Sequence, residues 1–180
     1  MLIRMSIRMS IRMNIRMNIQ TLRGFNTPIV PARSLLHAYT DGSLRRCKGG
    51  IGIHTPAVDY YASVHERKDI NRIELGAIFA GMTLVDPEVD VLFNSDSQTA
   101  LNSLTAYKRT KYDKLASFVL QFAEERTGGV YVAKVKAHSG VPGNEAADHL
   151  AKLGVTSDIE FVFPDEFSSL DEWRQFASKK

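Results

Sequence analysis

The sequence predicts an α/β fold, and three observations carry that expectation. Strand-patterned stretches stand close together at residues 35–40, 51–54 and 58–64, with Gly49, Gly50 and Gly52 beside the second; this is the spacing of an antiparallel meander. A long apolar helix pattern follows at 72–84. Beyond it, strand stretches at 89–93 and 130–135 alternate with helices, as they do in a sheet with parallel members. A chain of 180 residues with 44% apolar content can bury one sizeable core, so one folded domain is expected.

The first 34 residues stand apart. From Ile3 to Gln20 the chain repeats Ile-Arg-Met-Ser and then Ile-Arg-Met-Asn, alternating apolar and polar residues with the period of a strand. Three readings remain open: low-complexity sequence with several candidate start methionines, an Arg-rich organelle transit peptide, and a basic arm with nonspecific phosphate affinity. Residues 21–34, with Gly24, Pro28 and Pro31, read as a linker. Segments 1–34, 35–154 and 155–180 are therefore expected as a disordered basic repeat and linker, the folded domain, and an acidic tail with a short helix.

A net charge of +3 and a pI near 9.0 look like a nucleic-acid signature until the charge is divided. Residues 1–38 hold six arginines and no acid, which leaves 17 basic and 20 acidic residues for the remainder. A slightly acidic folded region can still bind nucleic acid if its acids gather at a metal site and its bases lie on one face. Cys47 is the one cysteine, so there is no disulfide framework, and a reducing compartment, nucleus or cytoplasm, is expected. No apolar run approaches the roughly 20 residues needed to cross a bilayer. The chain is expected to be a soluble monomer without a membrane partner.

In chain order, the first strand ends at Asp41-Gly42-Ser43. Asp-Gly is a common turn pair and, taken alone, reads as a turn; the functional reading is a carboxylate at the end of a central strand, with a glycine that lets a ligand approach closely. Arg45, Arg46 and Lys48 fall in the turn to the second strand. The helix at 72–84 is apolar on most of its surface and is expected to be buried against the sheet. Glu74 is placed in its first turn, with Asn71 as N-cap of a capping box.

The strand at 89–93 ends at Asn94-Ser95-Asp96-Ser97-Gln98, where Asp96 or Ser97 would cap a helix through Leu101 and Leu104. A longer helix covers 111–126. Lys108, Arg109, Lys111 and Lys114 cluster where these helices meet, either as a solvated face or as a phosphate-tracking patch. The last strand leads through His138-Ser139-Gly140 into a helix bearing Asn144, Glu145 and Asp148. Alone, that stretch is an ordinary strand-loop-helix connection.

Together the acids say more. Asp41 and Asp96 stand at strand ends, where α/β sheets form ligand crevices, and Glu74 and Asp148 stand on helices that pack there. Four converging carboxylates repel one another unless cations hold them. Hard oxygen ligands without a Cys or His cluster point to Mg²⁺ or Mn²⁺, and two such ions about 4 Å apart suit phosphodiester hydrolysis.

Tyr39-Thr40-Asp41-Gly42-Ser43, Asn71-Arg72-Ile73-Glu74-Leu75, Asn94-Ser95-Asp96-Ser97-Gln98, and His138-Ser139-Gly140 through Gly143-Asn144-Glu145-Ala146-Ala147-Asp148 resemble the four signature blocks of type 1 ribonuclease H, in order, over residues 35–152. The resemblance implies a mixed five-stranded sheet of order 3-2-1-4-5, first three strands antiparallel, with helices on both faces. It implies cleavage of the RNA strand of an RNA–DNA hybrid to 3′-hydroxyl and 5′-phosphate ends, with two Mg²⁺, or Mn²⁺ in their place. Asp41 (bridging both ions), Glu74, Asp96 and Asp148 match the metal-binding carboxylates, and His138 the loop histidine that assists proton transfer or product release. Asn71 and Gln98 match hybrid contacts, and Gly42, Ser43 and Asn144 are placed with them. Arg45, Arg46, Lys108, Arg109 and Lys111 are candidate phosphate contacts.

The chain departs from some cellular members. It has no room between Asp96 and His138 for an extra basic helix and no separate hybrid-binding module, which makes it similar to the compact retroviral and retrotransposon domains. Ile70 replaces a polar hybrid contact, and Asp69 stands near a position where many members offer a hydroxyl to a DNA phosphate. A catalytically silent nucleic-acid-binding or scaffolding domain of a reverse-transcriptase complex is the alternative. A transposase or integrase of the same superfamily fits less well, given the Asp-Glu-Asp-Asp order and the histidine loop.

Overall fold

The computed structural model describes residues 19–21, 35–105 and 111–179. Most of the N-terminal repeat and of the linker, together with Lys108 and Arg109, lies outside the described residues. The strands are β1 (Ile19–Thr21), β2 (Leu36–Arg45), β3 (Lys48–His54), β4 (Asp59–Val64), β5 (Val91–Ser95), β6 (Val130–Lys134) and β7 (Glu160–Phe161). The helices are α1 (Ile70–Leu84), α2 (Gln98–Thr105), α3 (Asp113–Glu125), α4 (Pro142–Gly154) and α5 (Leu170–Ala177), with a 3₁₀ turn at Pro164–Glu166. None of the described helices is long and apolar enough to cross a membrane.

One mixed sheet runs in the order β1-β6-β5-β2-β3-β4-β7. Its central five strands have the expected 3-2-1-4-5 order. The expectation of five strands is corrected to seven, because a short strand joins each edge: β1 antiparallel to β6 and β7 parallel to β4. β7 is two residues long and leaves no local pattern, whereas β1 falls at the end of the repeat whose alternation has the period of a strand.

The first strand is longer than expected. Its Asp-Gly pair makes no turn; β2 continues through Asp41 to Arg45, pairing with β3 as far as Arg45↔Lys48. The turn falls on Arg46 and Cys47, both in the left-handed region at φ 48° and 58°, as a two-residue hairpin of right-handed twist requires.

Helices cover both faces. Ile51 and Ile53 are fully buried with α1 residues Ile73, Leu75 and Ile78 in the main core. Gly50 and Gly52 alternate with them and so face the other side. A Cβ at Gly50 would stand 2.3 Å from Val155 N, and one at Gly52 2.2 Å from Ala147 O. The missing side chains let the α4 backbone lie directly on β3.

Helix α1 starts at Ile70, two residues earlier than expected. Asp69 is its N-cap, accepting from the amides of Asn71 and Arg72, which corrects the assignment of Asn71 as cap. Glu74 therefore lies beyond the first turn and is not there to complement the helix dipole. At the other end, the buried Arg126 guanidinium donates to the carbonyls of Met82, Val85, Asp86 and Val89, satisfying C-terminal acceptors of α1.

Candidate active site

Parallel pairing of β2 with β5 ends at Tyr39↔Asn94. Asp41 and Asp96 each lie two residues beyond that last pair, where β2 continues with β3 alone and β5 stops at Ser95. The crevice opens where the sheet parts, and α1 lays Glu74 against it. Carboxylate oxygens of Asp41, Glu74 and Asp96 lie within 4.8 Å of one another.

The approach of α1 explains Gly42. A Cβ there would meet Glu74 N and Ile73 Cγ2 at 3.0 Å and Glu74 Cδ at 3.2 Å. The close approach it permits is that of the chain's own helix. Its backbone amide works the other way from the crowding of charge, lowering the carboxyls of both Asp41 and Glu74.

Charge is crowded here. Asp41 is 5% exposed, and burial, then the charges of Asp96 and Asp148, raise its carboxyl to about 7. Burial and the charges of Asp41 and Asp96 hold Glu74 well above the usual carboxylate range. Glu74 Oε2 is buried without a hydrogen-bond partner. An all-carboxylate donor set, an orphaned buried oxygen and acids forced toward their protonated forms fit a hard divalent cation.

The other expected residues divide. Asp148 lies outside the triad and pairs with Lys152 one helical turn on, although its charge still raises Asp41. Asn144, expected as a substrate contact, is 3% exposed and donates from Nδ2 to Asp96 Oδ2 at 3.2 Å. There it orients a carboxylate of the triad. His138 is exposed in the loop before α4, at φ 49°. Gln98 is exposed and donates to Asn102 Oδ1 at 2.9 Å. The cap of α2 is Ser97, whose Oγ accepts from Ala100 N, and Asp96 is left for the triad.

Asn71 and Ser43 are half-buried. Lys111, a candidate phosphate contact, holds Asp69 at 2.6 Å, and Tyr112 donates its hydroxyl to the same carboxylate at 2.9 Å. Burial works against the Asp69 charge, but these partners and the helix amides hold its carboxyl below the ordinary range. Arg45 and Arg46 are at the β2–β3 hairpin; Arg46 lines a cleft of about 600 Å³ with Lys48, His65 and Arg67 that includes none of the triad.

Two lysines escaped the sequence reading. Lys134 donates to the Asp96 backbone carbonyl, a contact that depends on β6 lying beside β5 and leaves no local signal. Lys152 was legible from its four-residue spacing to Asp148.

A mixed 3-2-1-4-5 sheet with carboxylates gathered where its central strands part defines the ribonuclease H-like class of folds. The RNase H family model matches residues 33–156, more than half of the chain. The chain belongs to the RNase H family, a family of nucleases.

Proposed function

We propose that this chain is a metal-dependent endoribonuclease that hydrolyses the RNA strand of RNA–DNA hybrids, leaving 3′-hydroxyl and 5′-phosphate ends. The observation that carries the reading is the meeting of Asp41, Glu74 and Asp96 within 4.8 Å, from three separate elements and with too little positive charge among them. Asp41, Glu74 and Asp96 would hold the cations, with Asp148 as the fourth carboxylate. Two Mg²⁺, or Mn²⁺, would supply a lowered water pKa and neutralisation of the leaving oxygen.

The chain's own groups do the rest. Asn144 fixes the Asp96 carboxylate, and the Gly42 amide favours the charged forms of Asp41 and Glu74. His138, exposed at the rim of the loop, exchanges a proton with the departing product. Asn71 and Gln98 are proposed to meet the hybrid, where the 2′-hydroxyl distinguishes RNA from DNA.

The test is cleavage of an end-labelled hybrid with Mg²⁺ or Mn²⁺, beside RNA and DNA duplexes of the same sequence. We expect the hybrid RNA to be cut, Asp41→Asn to lose several orders of magnitude in rate, and His138→Ala to lose roughly 10²-fold. A hybrid that is bound but left intact by the parent chain would establish the silent-domain reading instead.

A further inference from the structure

Residues 157–179 lie beyond the family match, yet they are built into the molecule against α1. Phe163 is 1% exposed. Its ring lies on the α1 backbone at Gly76, where a Cβ would stand 2.2 Å from it, and the Arg72 guanidinium covers the same ring at 5.0 Å. Asp165 grips that guanidinium with both oxygens, Nε to Oδ2 at 3.1 Å and Nη2 to Oδ1 at 2.8 Å. Glu66 and Glu166 reach it at 3.4 and 3.5 Å, and Lys114 donates to the Asp165 carbonyl.

Arg72 and Gly76 are four residues apart and share one face of α1. Glu74, midway between them, is rotated by about 200° from each and points the opposite way. The clasp therefore presses on the helix directly behind Glu74. Its chemistry suits placement better than cohesion: a half-buried ion pair recovers little beyond its desolvation cost, whereas a two-pronged Arg–carboxylate contact fixes direction. Burial of Leu170 and Trp173 holds the segment down without it.

We propose that residues 163–166 are a positioning brace for Glu74, fixing the rotation of α1 so that its carboxylate stays against Asp41 and Asp96. The proposal rests on the reading of Glu74 as a cation ligand. It is tested on the full chain by Mn²⁺ titration, followed by calorimetry and by the electron paramagnetic resonance of the free ion, with melting temperature recorded in parallel. Asp165→Asn should weaken Mn²⁺ binding about tenfold, the scale of losing an outer partner of a ligand, and speed amide exchange over residues 70–76. Arg72→Lys, which keeps the charge but loses the fork, should weaken it less. Arg174→Ala, which releases α5 from Glu125 on α3, should leave Mn²⁺ affinity unchanged. Affinity within twofold of the parent in Asp165→Asn, or an equal loss in Arg174→Ala, overturns the brace. Glu74→Gln separates the two ideas: if it binds Mn²⁺ as the parent does, the ligand reading fails and the brace with it. If Glu74→Gln loses binding and Asp165→Asn does not, only the brace fails.

Discussion

Asp41 carries the cost of the site. In the unfolded chain its carboxyl titrates near 3.8, and in the fold near 7. Between those values the folded state keeps a proton that the unfolded state has released, so its contribution to stability falls as pH rises from about 4 to 7. In a chelator, Asp41→Asn should therefore stabilise the protein at pH 7.5, by on the order of a few kcal/mol, and hardly at all at pH 4. Calorimetric melting of both proteins at the two pH values checks this; an equal gain at both would show that the strain is not protonic. Asp69 makes the contrast at the same scale. It too is an acid beside α1, but with Lys111, Tyr112 and two helix amides around it its charge is welcome.

Among the elements, α4 sets the far wall of the site, since it carries both Asn144 and Asp148. Its height above the sheet is fixed by backbone meeting backbone at Gly50 and Gly52. Gly52→Ala places a methyl 2.2 Å from Ala147 O and 2.3 Å from Ala151 N, and neither can step aside as a side chain could. Urea denaturation should show a loss of about 2–3 kcal/mol, at the upper end for overpacking; a variant as stable as the parent would mean that α4 is not seated this way. The same pair of elements shows what sequence could and could not disclose. The apolar periods of α1, β5 and β6, and the four quoted blocks, marked out the three acids that the structure brings together and the elements beside them. The continuation of β2 past Asp41 was hidden, because local turn chemistry marks an end there while the ladder that overrides it comes from β3. Asp69 was hidden as a cap for a similar reason: Asn71 was an equally good local candidate, and Tyr112, which favours Asp69, lies more than forty residues away in sequence.

For the molecule as a whole, the C-terminal segment is part of the core. Trp173 stands edge-on to Phe79 with centroids 4.9 Å apart and donates its indole N–H to the Val162 carbonyl. Trp173→Ala should cost about 3–5 kcal/mol, read as an earlier urea midpoint for the entire domain; a separate early transition of the segment alone would show it to be an appendage. A short helix in this tail was legible in the sequence, but the faces of α1 and α3 that receive its aromatic residues were not. The same segment supplies β7, a strand of two residues that pairs with the outer edge of β4. Short outer strands offer few free amides and carbonyls as a template for another chain. The price of a long, regular sheet is stickiness at its margins, and where β7 lies on Ser63 and Val64 that margin ends in a fragment too brief for a second molecule to grip.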